Sequence, residues 1–435
     1  MARGPLALAA TKNQSGEFIL MRSGWLRCAL LMGSLSMFVS CGSSNKSALV
    51  YLVSQGSNPG TISAYKLDLK KGTLSSDNGA LTATGKSVNT GTQPTNLLFD
   101  PSQTFAFVAD FGSPIDPGTD NSKKNGDVGI FSIAKDGSLA SAGTTSFPVD
   151  DCLSSNPVGL AMDTKGKFLF VAVQTFYNVN GTASCPANPS NGAPGPGYVA
   201  AFPVSSGTLG AMVSAAIPVP AGPPGTNIPQ PTAVGVANTL NYIYVTDGVN
   251  NTVVGFAYDT TSGALSSVPG QFFAVGKLPR AVISPPEGTF LYVANGNSDD
   301  IYEFFINADG SLQPITNATV TIPTGVGPVA MLTDPNAKYL YALSNGGSQI
   351  HGYTINRVTG ALTAVGTNGG AVSTGANPVA FTIRSDGSTS GNYWVFTSNF
   401  GANTVSSYAL NGSTGVLTAL PQLTAPAAPY GIAAR

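Results

Sequence analysis

One unit is written seven times along this chain, and one of the copies is divided between its two ends. The clearest part is a short apolar-aromatic run: Leu49 to Val53, Phe105 to Ala109, Phe168 to Ala172, Tyr242 to Thr246, Phe290 to Ala294, Tyr339 to Leu343 and Tyr393 to Thr397. Runs of this kind are the signature of buried strands. A second run of the form Ile/Val-x-x-Tyr/Phe follows each: Ile62 to Tyr65, Val128 to Phe131, Val199 to Phe202, Val253 to Phe256, Ile301 to Phe304, Ile350 to Tyr353 and Val405 to Tyr408. A Gly-x-Leu turn then closes a hairpin, at Gly72, Gly137, Gly207, Gly263, Gly310, Gly360 and Gly415. Glycine at one register in every copy predicts a backbone position of positive φ, which glycine takes without steric cost.

A Pro-led apolar strand precedes six of the aromatic runs, starting at Pro94, Pro157, Pro231, Pro279, Pro328 and Pro378. The seventh is displaced. None precedes Tyr51, yet Pro429-Tyr430-Gly431-Ile432-Ala433 stands near the other end of the chain with no aromatic run after it. Circular closure accounts for this, because the C-terminal strand completes the blade whose other three strands come from the N-terminal part. A linear solenoid has no use for a split repeat. The chain is therefore expected to be all-β, a seven-bladed β-propeller of four-stranded antiparallel blades over residues 48–435. Spacings of 56, 63, 74, 48, 49 and 54 residues between aromatic runs fit blades that carry insertions.

Composition agrees. Charged residues make up 9% of the chain, against roughly 25% in an average soluble domain. The 52 Gly and 31 Pro argue for strands and turns over helices. A hydrophobic content of 42% with a net charge of −1 is the reverse of the disordered signature, and it removes the electrostatic basis for nucleic-acid binding. The single His, His351, excludes multi-His metal sites and leaves little for acid–base chemistry. No cofactor is expected.

From Met21 the chain reads MRSGWLRCALLMGSLSMFVSCG, with Arg22 and Arg27 ahead of an apolar stretch from Cys28 to Val39. This is the pattern of an export signal, too short to span a bilayer, and Met21 reads as the start of translation. Phe38-Val39-Ser40-Cys41 resembles a bacterial lipobox, which would make Cys41 the lipid attachment site; a plain secretory signal is the alternative. Residues 1–40 are thus read as the signal region and 41–47 as a tether, for a cell-envelope lipoprotein whose one membrane contact is its anchor. Of the remaining cysteines, Cys152 and Cys185 form a pair that an oxidising compartment favours as a disulfide.

Connections from second to third strand share a face with those between blades, and the long insertions at 111–126, 174–197 and 217–230 all fall there. Cys185 lies in one and Cys152 in the connection leading into the same blade, so a disulfide would pin a Pro/Gly-rich lid. The residue after each leading Pro is expected near the inner end of the first strand: Thr95, Val158, Thr232, Arg280, Val329, Val379 and Tyr430. Arg280 is the outlier, suited either to grip a carboxylate or lactone oxygen or to pair with a nearby Asp. Thr95, Thr232 and Tyr430, with Phe176 and Tyr177 at the root of an insertion, complete the candidate ligand-binding set. Acid groups on this face are Asp110, Asp247, Asp299 and Asp300; Asp110, Asp247, Asn295, Asn345 and Asn399 end aromatic strands, where turn capping is expected. Asp116, Asp120 and Asp127 suggest calcium only weakly, since their spacing matches no EF-hand. Ligand or partner is expected on this insertion-bearing face of a monomer.

The kind of propeller is decided by motif. Blades marked by one Trp per repeat do not fit, since residues 42–435 contain only Trp394. The strings FLYVANGNSDDIYEFFINADGSL and YLYALSNGGSQIHGYTINRVTGAL instead resemble the seven-bladed lactonase-like family, which includes propeller-type 6-phosphogluconolactonase. The resemblance covers residues 48–435 and rests on strand and turn residues, so it is specific for fold. It implies a catalytic His with Arg and Glu partners around the channel, and this chain departs from that: Leu278-Pro279-Arg280 resembles the family's Pro-Arg-His segment, but Ala281 follows. His351 is expected in a third strand, outside the channel. A hydrolase here would rely on Arg280 for the carbonyl oxygen and on Asp247 or Asp300 as base. Two readings stay open: a scaffold that binds a ligand or protein without catalysis, and a lactone hydrolase with a non-His mechanism.

Overall fold

Aromatic and β-branched side chains favour a pleated strand that is covered on both faces, and all seven aromatic runs form such strands. They are Leu49–Ser54, Phe105–Asp110, Phe168–Tyr177, Tyr242–Asp247, Phe290–Asn295, Tyr339–Ser344 and Tyr393–Asn399, and their central residues are buried. The computed structural model describes residues 48–435 apart from 76–86, 114–124, 148–152, 178–193, 218–227, 238, 323–325, 367–369 and 389–390. The signal region and tether (1–47), Cys41, Asp116, Asp120 and the Cys152–Cys185 pair therefore lie outside the described residues.

Each aromatic strand is the second of an antiparallel blade. In the fifth blade the order is Pro279–Ile283, Phe290–Asn295, Asp300–Ile306 and Leu312–Thr321, each hydrogen-bonded to the next. Seven sheets of this kind make a seven-bladed propeller without helices among the described residues. Four blades have an outer strand broken into two short pieces, as at Leu362–Ala364 and Val372–Ser373, which pair with the same third strand. The split repeat closes the ring as its sequence demands. Pro429–Ala434 pairs antiparallel with Leu49–Ser54, and Arg435 exchanges backbone hydrogen bonds with Leu49.

The Gly-x-Leu turns explain how one blade is locked to the next. All seven glycines have positive φ, from +67° at Gly72 to +91° at Gly137. A bulkier residue is also excluded by the previous blade, whose aromatic strand lies against the turn: a Cβ on Gly360 would sit 2.4 Å from Phe290 Cδ1 and one on Gly415 2.4 Å from Tyr339 Cε1. In four blades the third residue of the run is a Tyr whose hydroxyl donates to the carbonyl of that same glycine. These bonds are Tyr51 to Gly137 (2.7 Å), Tyr244 to Gly310 (2.9 Å), Tyr292 to Gly360 (2.7 Å) and Tyr341 to Gly415 (2.8 Å). Buried hydroxyls need such a partner. The apolar clusters likewise fill the spaces between neighbouring blades, for example Phe290, Tyr292, Leu340, Ala342 and Tyr353 between the fifth and sixth.

His351 lies in the third strand Gln349–Ile355, opposite Ala342, and is 1% exposed, a packed residue away from the channel.

Candidate functional site

The register of the inner strands builds the site. In every blade the pairing between first and second strand slips just after the leading proline: Pro279 is opposite Asn295, but Ala281, not Arg280, is opposite Ala294. The same shift skips Thr95, Val158, Thr232, Val329, Val379 and Tyr430. A β-bulge leaves its extra residue out of the ladder and re-aims its side chain. Here all seven extra residues line one central cavity of about 720 Å³. Gln55, Phe111, Gln174 and Asn345, each following an aromatic strand's last residue or close to it, join them there, with Gln93, Asn96, Met331 and Phe381.

Most of the polar groups in this ring hold the blades together. The leading prolines' carbonyls accept hydrogen bonds from the preceding blade: Pro94 from Gln55 Nε2 (2.8 Å), Pro157 from Thr95 Oγ1 (3.4 Å), Pro231 from Gln174 Nε2 (2.8 Å), Pro279 from Thr232 Oγ1 (2.5 Å) and Pro378 from Asn345 Nδ2 (3.0 Å). Thr95 and Thr232, both ligand-binding candidates, are thus engaged between blades. The pattern lapses after the fifth blade, where Arg280 replaces the threonine and Gly296 replaces the glutamine. Gly296 leaves the space that the arginine stem occupies, since a Cβ there would lie 2.8 Å from Arg280 Cδ. Arg280 is exposed, and among the described residues it makes no hydrogen bond or ion pair. No Asp holds it, so the second of the two roles foreseen for it is not realised among those residues.

Tyr430 faces Arg280 within the same cavity, stacked edge-on against Phe400 at 6.0 Å. Burial pushes its hydroxyl pKa up, and the Arg280 charge pulls it partly back. The hydroxyl therefore remains a hydrogen-bond donor. Phe176 packs edge-on behind Phe111 at 6.1 Å, one layer from the cavity, and Tyr177 is half-buried opposite Leu153; neither lines it.

The proposed bases sit elsewhere. Asp247 is buried at the end of its strand, where Oδ1 accepts from the amides of Gln230 (3.0 Å), Val249 (3.1 Å) and Asn250 (3.3 Å), a saturated turn cap. Asp300 accepts from Asn295 Nδ2 (2.7 Å) and Ser298 Oγ (2.9 Å). Neither lines the cavity. Asp299 receives the amide of Gly327 at 2.8 Å, while Asn399 Nδ2 donates to the hydroxyls of Thr404 and Ser406 and Asn295 to Asp300, so these strand ends tie up their own hairpins, Asp247 through backbone amides and the asparagines through side chains. Two positions depart from this. Asn345 stands one residue beyond its strand and turns to the channel, and Asp110 caps nothing. The sequence offered a signal for Gln55, Gln174 and Asn345, a shared offset from the aromatic runs, but nothing local announced the bulges.

Among the described residues no group of three or more His, Cys, Asp or Glu side chains comes together. The cavity's only charged side chain is Arg280, and it holds no carboxylate, imidazole or thiol among the residues described.

Comparison with known proteins agrees with this architecture. Residues 197–329 match the family model "Lactonase, 7-bladed beta-propeller". The chain is a seven-bladed β-propeller, and its residues 197–329 are similar to that family. No curated protein matches it. Among solved structures it is similar to the periplasmic gluconolactonase of Pseudomonas aeruginosa, at 19% identity and a TM-score of 0.69 over 89% of this chain and 98% of that one. A candidate 6-phosphogluconolactonase from Bacteroides fragilis gives 19% identity and a TM-score of 0.67 over 90% and 99%. One from Bacteroides uniformis gives 18% and 0.65 over 90% and 100%. Identities this low speak for the fold alone.

Proposed function

We propose that this lactonase-like propeller binds a small anionic ligand, of the sugar-acid type, at its channel mouth without turning it over. One observation carries the reading: a lone unpaired guanidinium projects into a cavity that contains no general base among its described residues. A guanidinium gives a carboxylate two parallel charge-assisted hydrogen bonds. Tyr430 supplies a further donor, and Phe111, Met331 and Phe381 supply apolar walls. Lactone hydrolysis asks for more, since water must lose a proton to a base within about 3 Å of it, and Asp247 and Asp300 are committed to strand ends.

The test is calorimetric titration with gluconate, run beside a hydrolysis assay on a panel of sugar and aromatic lactones. Arg280→Ala is expected to weaken gluconate binding roughly 10- to 100-fold, the worth of one charge-assisted pair, with no lactone turned over by either protein. Unchanged affinity in Arg280→Ala would sink the channel reading.

A second reading is favoured by the family match itself. If the chain hydrolyses lactones, Arg280 and Tyr430 are the groups placed to polarise the carbonyl oxygen. Turnover that Arg280→Ala abolishes establishes it in place of the first.

The sequence around Cys41 supports an exported chain held at the cell envelope by lipid on that residue. Cys41→Ser is expected to move the protein from the membrane fraction to the soluble one in fractionated cells; a variant that still sediments with membranes refutes the anchor.

A further inference from the structure

Two carboxylates outside the channel stand together. Asp110 ends the second strand of the second blade, Asp127 begins the third, and the two are direct cross-strand partners. Like charges directly opposite on paired strands repel. Here the repulsion is not relieved by water, because Asp110 is 1% exposed, and among the described residues neither of its carboxylate oxygens nor Asp127 Oδ1 has a hydrogen-bond donor. The Gly91 amide and Thr90 hydroxyl lie near enough to favour the Asp110 anion, without making a hydrogen bond of ordinary geometry to it. Burial, with Asp127 beside it, raises the Asp110 carboxyl above the usual carboxylate range.

Both aspartates line a cavity of about 520 Å³ between the first and second blades, whose other walls are Asn58, Pro59, Gly91, Thr92, Gly112, Ser113, Asn125 and Gly126. Among the described residues every side-chain donor there besides the two amide nitrogens is oxygen, and Gly91 and Gly126 let the backbone pass close to Asp110, since a Cβ on them would lie 2.7 Å from Asp110 Cβ and 2.2 Å from its carbonyl oxygen. Among the described residues no Lys, Arg or His lines it. Buried charge on this scale requires a proton or a cation.

We propose that Asp110 and Asp127 hold a hard divalent cation of calcium's class, fixing the first blade to the second. Two carboxylates balance its charge, and the surrounding amide, hydroxyl and carbonyl oxygens and water complete an all-oxygen shell of the kind calcium takes. The absence of nitrogen and sulfur ligands argues against zinc or copper. Magnesium, which demands a tight octahedron, suits so roomy a cavity less well.

The test is thermal unfolding of the EDTA-treated full chain at neutral pH, with and without about 10 mM calcium, a level that saturates even the weak calcium sites of exported modules. Wild type is expected to gain roughly 4 °C, as a ligand in hundredfold excess over its Kd gives a chain of this size. Asp127→Asn, which removes one charge and keeps the shape, is expected to melt no lower than calcium-free wild type and to ignore calcium. Equilibrium dialysis of wild type against calcium is the parallel measurement and does not depend on any variant folding; it should find one ion per chain. A wild type that neither binds calcium nor shifts with it, its pair sharing a proton instead, overturns the proposal. So does an equal calcium shift in Asp127→Asn, or a shift with magnesium and none with calcium.

Discussion

A chain ended at Ala428 should fail to form the monomeric propeller. It lacks Pro429–Arg435, which supplies the inner strand of the first blade, and the loss reaches three blades. The strand Leu49–Ser54 is buried along its whole length and loses its inner partner. Ile432 leaves the cluster of Val50, Leu52 and Phe396 that joins the seventh blade to the first, and Ala433 leaves that of Tyr51, Val53 and Leu97 that joins the first to the second. Arg435 Nη1 also gives up the Ala134 carbonyl at 2.9 Å. The buried apolar groups and the lost ladder together are worth on the order of 5 kcal/mol, as much as the whole stability of many domains. An open ring moreover exposes an unpaired edge of hydrophobic strand, which invites pairing with other chains. Size-exclusion chromatography is expected to show aggregates in place of a monomer peak, and circular dichroism a broad, early melt. Adding a synthetic peptide of residues 429–435 should restore part of the sharp transition. A truncated chain that melts cooperatively near the full-length temperature would mean that the closure contributes little.

Gly360→Ala is expected to cost about 3 kcal/mol. Two separate penalties combine there. Its φ of +76° lies where an L-residue pays roughly 1–2 kcal/mol for the contact between Cβ and backbone. The added Cβ would also sit 2.4 Å from Phe290 Cδ1 and 2.6 Å from Ile315 Cδ1. Phe290 is buried and cannot withdraw without opening the space between the fifth and sixth blades, an overpacking that costs a further 1–3 kcal/mol or so. Gly366→Ala in the same blade separates the two effects, because Gly366 has φ +63° but nothing within 4 Å of an added Cβ. Urea denaturation should therefore place Gly366→Ala about midway between wild type and Gly360→Ala. Equal losses in the two variants would dismiss the steric wedge and leave backbone conformation as the whole effect.

These two positions show why so much of the fold could be read from the residues. A propeller is made of short-range units, and each unit states its needs locally. An aromatic run needs burial on both faces, a Gly-x-Leu turn needs a positive φ, and a leading proline starts a strand. Repetition raises the signal, since a weak pattern found seven times at one register is no longer weak. The split copy even specified the closure of Pro429–Ala434 onto Leu49–Ser54. His351 in a packed third strand and Asp247 at a turn followed from register for the same reason.

The site was legible only as positions. Counting one residue on from each proline named Arg280 and Tyr430, but the bulge that turns those side chains into the channel is a mismatch between two strands and is written in neither of them. Nor did any residue by itself show that Thr95 and Thr232 have their hydroxyls taken by the next blade, or that Gly296 leaves Arg280 the room to stand free. Asp110 makes the contrast sharpest. By register it belonged with Asp247 as a turn cap, and one looks like the other in the chain. What separates them is which backbone amides lie within reach: three meet Asp247, while Asp110 faces a second carboxylate across the ladder. The sequence by itself determined the seven blades and their closure, because those follow from local residue preferences repeated in register. Only the tertiary structure decided which polar groups are satisfied and which are left to bind something, because hydrogen-bond satisfaction depends on neighbours distant along the chain.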